Sequence, residues 1–249
     1  MNLGLDGAIA LVTGGERGVG LGITEAFRAA GATVVTCGRT RPDRPAGEFV
    51  ECDVRDADRV AALIDTIAQR HGRLDVAVNN AGGSPYALAA DASPRFAAKI
   101  VELNLLAPLL VAQAANAVMQ RQDGGGAIVM VSSVSGHRPS PGTAAYGAAK
   151  AGLDNLVSTL AVEWAPKVRV NSVVAGMVRT EQAQLHYGDD ADVARVGRTV
   201  PLGRLAEPRE IGACVAFLAS PLASYVSGAA LLAHGGGEVP AFLAAAKEH

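Results

Sequence analysis

Residues 8–20 read Ala8-Ile9-Ala10-Leu11-Val12-Thr13-Gly14-Gly15-Glu16-Arg17-Gly18-Val19-Gly20. The apolar run Ala8–Val12 predicts a strand covered on both faces, as in a parallel sheet. A glycine-rich turn follows. Val19, Ile23, Ala26, Phe27 and Ala30 then recur at helical spacing until Gly31 stops the helix. Strand, turn and helix start together suit the pyrophosphate of a dinucleotide, since glycines admit close backbone approach and the helix N-terminus favours phosphate charge. The spacing is Gly-x3-Gly-x-Gly over Gly14, Gly18 and Gly20, not the better-known Gly-x-Gly-x-x-Gly. Taken alone, the loop also fits a tight strand–helix turn that holds no ligand.

Outward from this stretch, strand and helix patterns alternate. Strands are expected at Thr33–Cys37, Glu48–Glu51, Leu74–Val78, Ala127–Val131, Val168–Val174 and Ala229–Leu232. Asp56 can cap a helix with the stripe Val60, Leu63, Ile64, Ile67 and Ala68, ended by Gly72. Further helices are expected at Leu105–Gln120, Ala144–Trp164 and Arg209–Leu218. Such alternation means βαβ units with right-handed crossovers, hence one α/β domain over residues 1–249 with a doubly wound, mostly parallel seven-stranded sheet flanked by helices. Met177–Glu207 is loop-like, rich in charge and glycine, and long enough to be a substrate lid.

Composition narrows the function classes. The chain has 249 residues, 49% hydrophobic and 18% charged, with a formal charge of −2, so it offers no field for nucleic acid or an anionic membrane. Cys37, Cys52 and Cys214 lack metal-ligand spacing, and no other metal constellation is present; an odd thiol count predicts reduced cysteines in a cytoplasmic protein. The first residues lack a charged stretch followed by an apolar run, so no secretory signal is expected. The uncharged runs Leu103–Gln120 and Ile211–Gly237 are interrupted by polar residues, proline and glycine, and are expected to be buried helices or subunit contacts rather than membrane spans.

In open α/β sheets ligands sit at the carboxyl ends of the strands, and the polar residues cluster there. Asn79-Asn80-Ala81-Gly82 follows the fourth strand and Ser132-Ser133 the fifth. Tyr146 and Lys150, four apart, share one helical face. An ammonium beside a phenol favours the phenolate, so the Tyr146 pKa is expected to fall toward working pH and suit general acid–base work. Ser133 can hydrogen-bond the same substrate oxygen. The Tyr-x-x-x-Lys pair alone also fits a solvated helix.

The ordered set TGGERGVG, Asp53-Val54, NNAG, Asn104, Ser133, Tyr146-x-x-x-Lys150, Asn171 and Thr180 resembles the short-chain dehydrogenase/reductase family over nearly the whole chain. The resemblance implies a Rossmann-type fold and a catalytic set of Asn104, Ser133, Tyr146 and Lys150. Tyr146 would be the acid/base, Ser133 would hold the substrate oxygen, and Lys150 would tune Tyr146 and bind the nicotinamide ribose. Asn104 would hold a water that relays protons to Lys150; otherwise it bends its helix or satisfies a carbonyl. Cofactor contacts are implied for Gly14, Arg17, Gly18, Val19, Gly20, Arg39, Asp53, Val54, Asn80, Ala81, Gly82, Tyr146, Lys150, Gly176, Val178 and Thr180. Asp53 would accept from the adenine amino group, or else form a turn. One departure is Ala175-Gly176 where the family usually has Pro-Gly; losing the proline is expected to loosen that turn.

Strand two ends Thr36-Cys37-Gly38-Arg39, with no carboxylate where an NAD enzyme carries one to bind the ribose 2′-hydroxyl. Arg39 and Arg17 suit a 2′-phosphate, so NADP(H) is expected over NAD(H), which stays possible. His137, Met177, Leu185, His186 and Tyr187 are expected to line a largely apolar pocket for a steroid-like, terpenoid or acyl alcohol or ketone. A 3-oxoacyl-thioester reductase would look much the same, and a catalytically silent nucleotide-sensing protein is the alternative on the same fold. The resemblance further implies a homo-oligomer, commonly a tetramer.

Overall fold

The computed structural model describes residues 2–183 and 187–245. Seven strands form one sheet: β1 (Ile9–Thr13), β2 (Thr33–Gly38), β3 (Glu48–Glu51), β4 (Val76–Asn79), β5 (Gly126–Ser133), β6 (Val168–Ala175) and β7 (Ala230–Ala233). Their order is β3-β2-β1-β4-β5-β6-β7, and every pairing is parallel. Strand order reverses between β1 and β4, which leaves a crevice at their carboxyl ends.

The continuous apolar runs are explained by burial on both faces. Leu11 faces one core and Ala10 and Val12 the other, all fully buried. One face packs α1 (Gly18–Ala29) and the helix over Pro208–Ala219 through Ile23, Phe27, Ile211 and Val215. The other packs α2 (Ala57–His71), α4 (Ala107–Met119) and α5 (Ala144–Glu163) through Leu63, Val111 and Leu153. A side chain such as Phe27, with no exposed surface, contributes roughly 1.5–3 kcal/mol by burial.

The structure refines several expected bounds. The helix expected from Leu105 begins earlier: α3 (Pro94–Val101), started by Pro94 and capped by Ser93, runs through a π-helical turn at Glu102–Leu106 into α4. This run, Pro94–Met119, is long and apolar enough to cross a membrane by length and composition alone, yet it lies against α2, α5 and the sheet. The 177–207 segment is not merely a loop. It holds α6 (Asp190–Gly197), started by an Asp189–Asp192 capping box, and leads to α7 (Pro208–Ala219). Ala183, Val193 and Leu205 make a small separate core there. A short α8 (Ala241–Ala245) ends the described chain.

Candidate active site

A cleft of about 700 Å³ follows the carboxyl ends of the strands. At its centre, α1 begins without a side-chain cap and without an acidic residue in its first turn, so its free N–H groups are left for an anion. Gly14 takes a left-handed backbone (φ 64°), and a methyl group on Gly20 would collide with the Gly14 carbonyl. Asn80 fixes this loop from β4: its amide donates to the carbonyls of Thr13 (2.9 Å) and Gly14 (3.2 Å). The Thr13 hydroxyl in turn accepts from the N–H groups of Asn80 and Ala81, both at 3.0 Å. An uncapped helix start behind a glycine cradle fits a dinucleotide pyrophosphate.

Arg17, Arg39, Asp53 and Val54 line the end of the cleft beside β2 and β3. Arg17 and Arg39 are exposed, and neither side chain makes a hydrogen bond or ion pair among the described residues. Glu16 beside them is engaged by other groups; its carboxylate accepts from the Thr36 hydroxyl and, at 2.8 Å, from the Ala46 N–H. Asp53 is already engaged. Both its oxygens hold Arg55 (2.9 and 2.5 Å), and this partner keeps its pKa down to about 2. An adenine amino group would have to share that carboxylate.

The opposite end is built from side chains. Ser133, Tyr146 and Lys150 line it together; Gly82, Gly176 and Val178 also line the cleft, while Thr180 lies against Gly18 of the glycine loop. Ser133 ends β5, and its hydroxyl accepts from the Ser135 N–H at 3.2 Å and lies near enough to the Tyr146 phenol to favour its ionised form. The Lys150 Nζ donates to the Val131 carbonyl at 2.7 Å and lies 5.6 Å from the centre of the Tyr146 ring. Here one expectation is corrected. The Tyr146 pKa is raised, not lowered: burial disfavours the phenolate, Tyr187 adds to this, and the Ser133 hydrogen bond only opposes it. Burial also holds Lys150 down to about 8, with Asp154 pulling the other way. Desolvation outweighs the opposing pull of Ser133 on Tyr146 and of Asp154 on Lys150.

Other expected residues sit elsewhere. Asn104 lies in the π turn, fully buried; its side chain accepts from the Gly83 N–H and donates to the carbonyls of Gly83 and Ile100, each at 2.9 Å. Its amide thus braces the loop after β4 and does not line the cleft. His137 is turned to Asp154 (2.9 Å), away from a lining role. Met177 borders a second cavity of about 220 Å³ with Ile211 and His234 and packs on the small 177–207 core. Tyr187 joins that core and lies near enough to Tyr146 to act on its proton. Leu185 and His186 lie outside the described residues. The Ala175-Gly176 turn is not left slack: Ala175 pairs with Ala233, and the Gly176 N–H donates to the Ala233 carbonyl at 3.0 Å. An alanine keeps a backbone donor that proline lacks, and the strand runs on through it.

Three residues in or against the 135–145 segment went unread in the sequence. Arg138 pairs with Glu238 at 2.5 Å across 100 residues, and both bear on Tyr187. Tyr86 lies over Gly142, where a side chain would collide with its ring.

The family model described as enoyl-(acyl carrier protein) reductase, of the short-chain alcohol dehydrogenase type, matches residues 14–238, from the glycine loop to Glu238. The chain belongs to the short-chain dehydrogenase/reductase family. Among curated relatives, an uncharacterized short-chain type dehydrogenase/reductase of Sinorhizobium fredii is 37% identical over 92% of this chain, which spans 43% of that longer protein. The D-threitol dehydrogenase of Mycolicibacterium smegmatis is 35% identical over 93% of both chains. Among solved structures, a ligand-free aldohexose dehydrogenase of Thermoplasma acidophilum has a TM-score of 0.89 and 31% identity, covering 93% of this chain and 94% of its own. As a short-chain dehydrogenase/reductase, the protein is an NAD(P)-dependent oxidoreductase.

Proposed function

We propose that the enzyme interconverts a secondary alcohol and a ketone, preferring NADP(H). The cofactor, when bound, supplies or accepts the hydride at its nicotinamide ring. Gly14, Gly18, Val19, Gly20, Asn80, Ala81 and Thr180 would seat its phosphates and ribose, with Val54 against the adenine. Arg17 and Arg39, unpaired at the far end, are free to grip a 2′-phosphate with charge-assisted bonds.

At the near end, Ser133 would hold the substrate oxygen and Tyr146 would exchange a proton with it. A phenol kept neutral by burial is the acid that carbonyl reduction needs. Lys150, anchored on Val131, would place an ammonium beside that phenol and bind the ribose. The observation that carries this reading is the convergence of Ser133, Tyr146 and Lys150 in the same cleft as the uncapped start of α1.

The substrate class rests on fewer groups. Leu103, Val131 and Val178 favour an apolar body beside the reacting carbon, in line with steroid-like, terpenoid or acyl ketones. A second reading is a polyhydroxylated substrate, because Tyr187, on which the Arg138–Glu238 pair bears, sets a polar group near Tyr146. The exposed Leu106, Val162, Tyr225 and Leu232 support subunit packing in an oligomer, with a tetramer in the cytoplasm expected from the family resemblance.

The test follows cofactor absorbance with panels of apolar ketones and of polyols, in the wild type and Tyr146→Phe. Loss of the general acid should lower kcat about 10²–10⁴-fold, with the cofactor dissociation constant nearly unchanged. If cofactor binds but no substrate gives a Tyr146-dependent signal, the silent sensor replaces the enzyme reading.

A further inference from the structure

Asp154 lies on α5 one turn beyond Lys150 and two beyond Tyr146, on the same helical stripe. Only 11% of its side chain is exposed, and a carboxylate so placed persists only when donors satisfy it. Three side chains from three elements do so. Ser132 on β5 donates to Oδ2 and Ser172 on β6 to Oδ1, each at 2.7 Å. His137, in the turn after β5, stands 2.9 Å from Oδ2 through Nε2. The two serines come from paired strands, so the carboxylate fastens α5 to both.

Among the described residues, Asp154 is the anion that favours the Lys150 ammonium. Its neighbours are the Val131 carbonyl and the face of the Tyr146 ring, both uncharged. Tyr146 meets it through its ring face, Asp154 acts on its charge, and His137 shares the Asp154 carboxylate.

We propose that Asp154 is a positioning residue of the reaction: seated by Ser132, Ser172 and His137, it holds Tyr146 and Lys150 in register with the strand ends and keeps the lysine charged. This rests on the reading that Tyr146 and Lys150 serve the chemistry. His137, 40% exposed, is the solvent-side member of the set, and a cation there competes for the same carboxylate.

The test is an NMR titration of ¹³Cε-labelled lysine in the free enzyme, with the Lys150 signal identified in Lys150→Arg. In Asp154→Asn the Lys150 midpoint should fall by about one pH unit, and Asp154→Glu should restore it. The basic limb of the kcat–pH profile should move with it while KM for the cofactor stays within about threefold. Should Asp154→Asn not fold, His137→Arg gives a permanent cation to the carboxylate from the exposed side and should lower the midpoint in the same direction. An unmoved Lys150 midpoint in whichever of these folds overturns the proposal. Because the titration needs neither cofactor nor substrate, a shifted midpoint in an enzyme without turnover would count against the oxidoreductase reading alone.

Discussion

The two ends of the cleft are made of different material. The phosphate end is backbone: a left-handed Gly14, a Gly20 with no room for a methyl group, and the uncapped start of α1. The reacting end is side chain: a phenol, an amine and a hydroxyl converging from α5 and β5. Backbone sites tolerate no added atom and are indifferent to pH. Side-chain sites tolerate shape changes better and depend on where each proton sits.

The largest effect that this contrast predicts is at Gly20. Gly20→Ala pushes a methyl group into the Gly14 carbonyl, so either the loop or the first turn of α1 must move. Over-packing of this kind costs about 1–3 kcal/mol in stability. Displacing the phosphate donors should weaken cofactor binding about a hundredfold or more, read by titrating reduced-cofactor fluorescence. An alanine enzyme that binds within a few-fold of wild type would mean that the backbone end is not where the phosphates sit.

A smaller effect is expected at the 2′ end, where the ligand is met by side chains on the rim. Arg39→Asp removes one charge-assisted grip, each worth about 1.5–3 kcal/mol, and should cost NADPH roughly 10–100-fold in KM while improving NADH. An unchanged preference would defeat the NADP(H) assignment. Arg17→Ala should act in the same direction and more weakly, because Arg39 stays.

The smallest effect, and the one most diagnostic of the reacting end, is with pH. Burial puts the Lys150 pKa at about 8 in the folded enzyme, against 10.5 for the free group. Between these values the unfolded chain holds the proton more tightly, so stability should rise with pH from about 8 toward 10. Over the same window the ammonium is lost, and kcat should fall. Stability and activity therefore move in opposite directions. Melting temperatures across this range in the wild type and Lys150→Met test the sign: the rise should be absent in the variant, and equal slopes would show that Lys150 is not the buried charge.

The same contrast decides what could be read from residues alone. Backbone demands leave a mark in composition and spacing. Gly14, Gly18 and Gly20 behind an apolar strand, and apolar runs at periods set by strand or helix, are legible because each turn or strand constrains its own residues. The Tyr146–Lys150 pair is legible for the same reason, being four apart on one helix. What escapes is whatever depends on partners far along the chain. Nothing near Asp154 announces that Ser132 and Ser172 will meet it from two strands, nor that Arg138 will reach Glu238. The direction of the Tyr146 pKa escapes for a related reason. Adjacency to an amine is visible in sequence, whereas the depth of burial that sets the direction is a property of the packed whole. His137 and Met177 have the right chemistry for a pocket, but their neighbours turn them elsewhere.

The π turn at Glu102–Leu106 carries its own consequence. A π turn is an α-helix that has absorbed one extra residue, and the surplus rotates everything on one side of it relative to the other. Asn104 thereby faces inward to brace Gly83, while Leu106, two residues on, is half exposed on the outer surface. Excising a single residue from this turn would restore an even helical pitch and swing the asparagine out of phase with the loop it braces. That edge of the cleft is thus set by a count of residues as much as by their kind, and a scan of side-chain substitutions would pass over it.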